Sequence, residues 1–454
     1  NFYGLAGSDF ENVEQQRVTA KLEHDFSADL KLTQQFTAAG TDRDASTTYI
    51  QSSSITGATP LYDPAAQTIV TRNLRSQQHN EIYSSLTHLF ARFATGPVTH
   101  ELSSGIDLTR EKQRTPTWTP VNTPATSILS PNTNREVPAF ATRAGNGAQT
   151  SAQVDTAALY VFDTIRLSPK WLLNASARLD HYKIDYLAID STGVRTELGR
   201  NDDLFSWKAG VVFKPVPAGS LYAAYGNSLT PPGSSFALST SATNQNNPGF
   251  DPQETNNFEA GVKWDFFKSA LSTSLAVYRS ETLNGVSTDA LTGQVAQDIE
   301  QVVNGVEFGV SGKLSARWLV FGGIGYADSE YKSAGTTSAA NDGAALRFAP
   351  RLSGNLWTTY ILPFGLTLGG GARYSDSVSR STANSVNITN PTLVHVPSFW
   401  VFDAMAEYAL TKNTTPPLNA YTPADEEFFR LNNNGGRYYP GTPRSWQLAA
   451  VVRF

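Results

Sequence analysis

The chain has 454 residues, with 35 Lys or Arg against 40 Asp or Glu and a net charge of −5, a balance that argues against a nucleic-acid partner. It has no cysteine, which excludes disulfides and thiolate metal sites. Mean hydropathy is −0.29 and no run of about eighteen apolar residues occurs, so a membrane helix is excluded, whereas a membrane barrel, whose strands average out as mildly polar, is not.

Along the chain, about seventeen two-faced segments of roughly ten to fifteen residues are predicted as β-strands. The first covers Arg17 to Phe26, and a tight turn at Ser27-Ala28-Asp29 leads to the second, Leu30 to Ala39. A long polar stretch, about 40–78, precedes a strand ending at Ala94. Thr95-Gly96-Pro97 is a tight turn, and the strand from Val98 to Arg114 enters a second long polar stretch reaching about Gln153. Short turns follow at Ser168-Pro169-Lys170, Pro215 to Gly219, Lys268-Ser269, Ala316-Arg317, Pro363-Phe364 and Thr411-Lys412-Asn413. Long connections fall at about 190–203, 229–254, 286–294, 333–346, 377–394 and 430–443. Outer-membrane barrels sort their connections this way, short on the periplasmic side and long outside. A soluble sandwich or propeller has no reason to do so.

The segments also have the faces a barrel needs. Phe258, Ala260, Val262, Trp264 and Phe266 make one apolar side, opposed by Asn257, Glu259, Lys263 and Asp265. Phe205, Trp207, Ala209, Val211 and Phe213 oppose Ser206, Lys208 and Lys214, and Trp171 to Leu179 alternate likewise. A Lys or Arg on the lipid face near mid-bilayer costs roughly 2–4 kcal/mol, so the apolar side faces lipid and the charged side a wet lumen. From Tyr160 to Ile165 the alternation assigns no face. Phe26, Phe93, Trp171, Phe213, Tyr222, Trp264, Phe266, Trp318, Tyr360, Phe364 and Tyr408 lie beside the short turns, as a periplasmic aromatic girdle would.

Particular stretches carry a family resemblance: Asn1-Phe2-Tyr3-Gly4-Leu5, Leu22 to Phe26, Leu221 to Gly226, Asp251 to Thr255 running into Glu259 to Trp264, Val303 to Glu307, Leu356 to Tyr360 and Asn434 to Tyr438. As a set they resemble the barrel of TonB-dependent siderophore receptors, closest to the catecholate-type branch. The resemblance implies an all-β transmembrane antiparallel barrel of the roughly 22-stranded, plugged class. Residues 1–454 are then expected to be its C-terminal part, without the N-terminal plug, the TonB box and about the first five strands. A complete barrel of about sixteen or eighteen strands is the rival, since an even count is required of a bacterial single-chain barrel. The segment Ser445 to Phe454 resembles the closing strand of outer-membrane proteins, whose terminal aromatic, here Phe454, signals to the barrel-assembly machinery. The prolines Pro416, Pro417 and Pro423 are expected to distort the strand before it, because proline donates no ladder hydrogen bond.

No catalytic constellation is present. The six histidines are scattered without an HExxH pattern, and Gly309-Val310-Ser311-Gly312-Lys313 fails as a phosphate loop because Glu307 stands where the first glycine belongs and Leu314 where Ser/Thr is required. The function therefore belongs to the outer loops and upper lumen, and no enzyme is expected. The resemblance implies energised uptake of a ferric siderophore through the TonB complex, by a monomer in outer-membrane lipid. Iron travels inside the ligand, so no cofactor or protein metal site is implied. A passive porin for small solutes is the alternative. Anionic, aromatic catecholates call for cations and stacking rings, which gives Arg114, Trp118, Arg135 and Arg143 in the second long loop, and Tyr331 and Arg347 around a later one, as candidate ligand-binding residues.

Overall fold

The computed structural model describes residues 3–50, 62–135, 145–288, 295–333, 342–379, 395–411, 413–432 and 438–452. Among the described residues, seventeen strands follow one another in one sheet, which the short Val121–Asn122 joins as an eighteenth. In chain order they are β1 Phe10–Ser27, β2 Leu30–Tyr49, β3 Arg72–Thr95, β4 Val98–Pro116, β5 Gln149–Arg166, β6 Trp171–Ile189, β7 Arg195–Val216, β8 Gly219–Thr230, β9 Gln253–Phe266, β10 Leu271–Thr288, β11 Val295–Ser315, β12 Trp318–Ser333, β13 Leu352–Ile361, β14 Leu366–Ser375, β15 Phe399–Tyr408, β16 Pro417–Tyr421 and β17 Ser445–Leu448. Each pairs antiparallel with the next, from β1 to β17. Among the described residues no ladder joins β1 to β17. The result is a continuous barrel wall.

Register turns the alternation into a surface. One row runs Leu173–Val211–Ala223–Ala260–Val277–Val306–Tyr326 across seven strands, each residue directly opposite the next. A second runs Phe213–Leu221–Val262–Leu275–Phe308–Ile324. Large apolar side chains of these rows stay uncovered by protein: Leu221 is 45% and Val277 47% exposed. A soluble fold would bury them; here hydrocarbon covers them. On the other face Tyr222 Oη donates to Glu259 Oε1 at 2.5 Å, and Lys263 Nζ lies 5.3 Å from the Tyr222 ring centroid. The inside-out arrangement expected from the sequence is therefore present. One girdle assignment changes, because Tyr222 faces the lumen with Glu259.

The ambiguous stretch also resolves. Tyr160 points inward, its ring stacked on His88 at 6.5 Å. Val161 and Asp163 lie on the outer face, where Asp163 Oδ2 meets His100 Nδ1 at 2.7 Å, so the charge that obscures the pattern is paired across the sheet. Inward tyrosines recur opposite glycines: Tyr160 across from Gly105, Tyr222 from Gly261 and Tyr278 from Gly305. A Cβ on Gly261 would stand 2.6 Å from the Leu275 carbonyl oxygen and 2.7 Å from Tyr222 Oη. The backbone oxygen cannot step aside, so Gly261→Ala is expected to cost roughly 1–3 kcal/mol as an overpacking change. Urea titration of the barrel folded into vesicles would measure it, and a cost near zero would show that the ring and ladder adjust freely.

Strands on one side rise far above the bilayer. β3 has 24 residues and β7 has 22, where spanning takes about 9–11. The predicted loop at 190–203 is consequently mostly strand. β6 and β7 continue to Ile189 and from Arg195, and Asp190 Oδ1 closes the turn by accepting the amides of Thr192 at 2.8 Å and Val194 at 3.0 Å. The proline-rich strand is shortened as expected: β16 spans 5 residues, and Thr422 just beyond it has a φ of 49°.

Candidate functional site

The two long connections nearest the N-terminus fold together. Val121–Asn122 pairs with the start of β3, and Thr126–Ser127 completes a small sheet with Thr68–Ile69 and Tyr62–Asp63. Arg135 lies in this seam, 8% exposed. Its Nη1 donates to the Pro124 carbonyl at 3.2 Å and its Nη2 to the Tyr3 carbonyl at 3.3 Å. Burial pushes its guanidinium below the usual arginine range. Arg135 thus holds the loop to the residues around Tyr3 and is not free to meet a ligand. Trp118 is half-buried, with the Arg75 guanidinium 4.5 Å from its ring centroid, and Arg75 in turn grips Asp44 at 2.6 Å. Arg114 shares the face of Ile106 and Leu108, the outer one, and donates to Gln149. Arg143 and Phe454 lie outside the described residues.

Tyr331 sits near the top of β12. Its amide donates to Ala344 at 2.8 Å, its carbonyl accepts from Gly343 at 2.9 Å, and Ser329 Oγ accepts the Leu346 amide at 3.2 Å. The returning chain is thereby laced to β12, and this places Tyr331 and Arg347 on one folded loop. Arg347 is exposed, its guanidinium 5.7 Å from the ring of Phe348. Among the described candidate cations, Arg114 and Arg347 are the exposed ones.

No local sequence signal points to the most built part of the upper lumen. It lies on the inner faces of β4–β7, where residues 231–252 turn in over the wall. A buried apolar cluster of Ala152, Val154, Tyr182, Ile184 and Leu238 joins wall to loop. Gly233, at φ 90°, lets the chain pass close to Ile184, and Phe236 is held at φ 60°, a strained position of the kind that collects at functional loops. Arg200 fastens the loop. Nε and Nη2 donate to Asp202 at 2.6 and 2.5 Å, and Nη1 reaches the carbonyls of Pro248, at 2.8 Å, and Phe250. Both side chains of this ion pair are nearly buried, 11% and 10% exposed. Lower on the wall, Arg178 bonds Asp180 at 2.7 Å and Asp107 at 3.3 Å. Nothing in the local sequence marks Arg200 and Asp202 out from other strand charges; the carbonyls that give them their role lie 48 and 50 residues away.

Charged, hydrogen-bonded lumen residues thus line the wall beneath an inturned loop. Known proteins share this architecture. The catecholate siderophore receptor Fiu of Escherichia coli (strain K12) is 29% identical over 477 residues, covering 100% of this chain and 61% of Fiu. The closed-form crystal structure of Fiu matches with a TM-score of 0.90, at 29% identity, over 100% of this chain and 66% of that one. The probable TonB-dependent siderophore receptor PiuA of Acinetobacter baumannii is 30% identical, covering 94% of this chain and 59% of PiuA. The crystal structure of PiuA matches at 26% identity with a TM-score of 0.86, over 99% of this chain and 66% of that one. The chain thus spans about three fifths of the length of these relatives. Its apolar belt sits in the bacterial outer membrane. The family described as "TonB dependent receptor-like, beta-barrel" matches residues 1–444, and the chain belongs to it.

Proposed function

We propose that the chain forms the barrel wall of a receptor for ferric siderophore uptake, of the catecholate type, energised by the TonB complex. The observation that carries this reading is the loop 231–252 fastened inside the lumen by Arg200, which puts folded loop residues where a ligand passing the wall must meet them. The names of Fiu and PiuA supply the ligand class. In this reading the plug and the TonB-contacting segment lie in the part of the receptor that the chain does not span. Iron enters as cargo within the ligand, and the protein supplies binding, orientation and a regulated path. The barrel-assembly machinery is proposed to read Phe454, and the barrel to work as a monomer in lipid.

Ferric catecholates carry negative charge, and the proposed outer contact is Arg347 with Tyr331 beside it. Trp118 is proposed as a stacking surface, braced from behind by Arg75. Arg114 and Arg135 are proposed as loop supports, one outside the wall and one buried. Receptor purified from outer membranes is expected to bind ferric 2,3-dihydroxybenzoate complexes saturably, read by tryptophan quenching. Arg347→Glu is expected to weaken binding about three- to fivefold, the scale of an exposed charge, and Arg114→Glu to leave it unchanged. Linear, non-saturating flux through reconstituted vesicles, with no saturable binding, would replace this reading with a porin.

A further inference from the structure

The cavity under the inturned loop contains polar groups that the wall does not satisfy. It has a volume of about 260 Å³ and is lined by Glu111, Val154, Tyr182, Leu204, Pro231 and Phe236, among others. Tyr182 is 8% exposed, and its hydroxyl oxygen is buried without a hydrogen-bond partner. A buried hydroxyl left unpaired keeps the full penalty of its lost hydration, so it calls for an occupant. Glu111 extends from β4 into the same space. Among the described residues no cation forms an ion pair with it, although the neighbouring carboxylates are matched: Asp180 by Arg178 and Asp202 by Arg200. Apolar walls, a phenol and one uncompensated carboxylate describe a receptacle for a cation with a short organic stem. The carboxylate supplies the counter-charge, the Tyr182 oxygen accepts an N–H, and the rings of Tyr182 and Phe236 favour a cation over their faces.

We propose that this cavity is a subsite for an ammonium or guanidinium arm of the imported ligand, with Glu111 as its counter-ion and Tyr182 as its hydrogen-bond acceptor. The subsite rests on the siderophore reading above and adds to it a selectivity: among ferric catecholates, those bearing a free amine bind tighter. The anionic iron centre and the cationic arm would then be recognised at separate places, the arm beneath the roof that Arg200 holds.

The test uses receptor purified from outer membranes and two probes, the ferric complex of 2,3-dihydroxybenzoyl-lysine and that of its Nε-acetyl form. Calorimetric titration is expected to give the free-amine probe the tighter binding. Glu111→Gln keeps the side chain's shape and removes its charge, and is expected to weaken the free-amine probe by roughly 30-fold or more, the scale of a truncated buried charge partner, while leaving the acetylated probe unchanged. Tyr182→Phe, which removes only the hydroxyl, is expected to weaken the same probe by a smaller factor. Equal binding of the two probes by the unaltered receptor, or equal weakening of both by Glu111→Gln, overturns the subsite and leaves the siderophore reading standing. If neither probe binds saturably, the siderophore reading falls and takes the subsite with it.

Discussion

Val277→Arg is expected to cost roughly 2–4 kcal/mol of folding free energy in a bilayer. Val277 stands six residues along β10 from Leu271, which opens the strand beside the short turn. At about 3.3 Å per residue and a tilt near 40°, this puts it about 15 Å above the turn, near the middle of an apolar band roughly 25 Å tall. Its register neighbours are Ala260 and Val306, so an arginine there meets neither a counter-charge nor a lumen. The control is Ser274→Glu on the same strand. Ser274 lies on the opposite face, directly across from Lys263, and a carboxylate there gains a partner, so a change within about 0.5 kcal/mol is expected. Urea titration of folding into phosphocholine vesicles reads both. Equal costs for the two variants would show that lipid does not distinguish the two faces, and reversed costs that they have been assigned backwards; either result removes the lumen and every site in it.

The wall was legible in the sequence because membrane strands are selected by one repeated rule. Each residue of Phe258 to Phe266 reports its own face by its polarity, and the short turns report the ends. The rule failed where partners from other strands intervene. Asp163 breaks the alternation until His100, 63 residues away, is seen to hydrogen-bond it on the outer face. Tyr160 reads as either face until Gly105 is found beneath it. The site was less legible for the same reason. Arg135 has the composition of a ligand-binding loop residue, yet its partners are the carbonyls of Pro124 and Tyr3, one of them 132 residues distant. Residue type alone does not place Arg114, whereas the parity of β4 puts it outside and Glu111, three positions earlier, inside. Counting alternation upward from Leu102, Ile106 and Leu108 would have separated the two without a structure. No such count reaches Arg200, because the strands give its face but not the carbonyls it holds.

Arg200→Ala is the substitution expected to disturb the site most. Its guanidinium serves Asp202 and two loop carbonyls at once, and alanine removes all of those donors together. Asp202, 10% exposed, is then left as a nearly buried charge without its counter-ion, and breaking such a pair costs about 3–5 kcal/mol. The cost falls locally, since the sheet beneath is held by its own ladders and the cheapest relief is for residues 231–252 to swing out and admit water to Asp202. Amide hydrogen exchange at Phe236, Asn247 and Phe250, whose N–H groups are bonded within the loop, is therefore expected to quicken by roughly two to three orders of magnitude, while exchange in the membrane part of β6 and β7 stays unchanged. Removing both charges in Arg200→Ala/Asp202→Ala spares the stranded carboxylate and is expected to recover part of the protection, though not all, because the Pro248 and Phe250 carbonyls still lack their donor. Unchanged exchange in the single variant would show that Ile184 and Leu238 hold the loop without help from the ion pair, and the fastening role assigned to Arg200 would be lost.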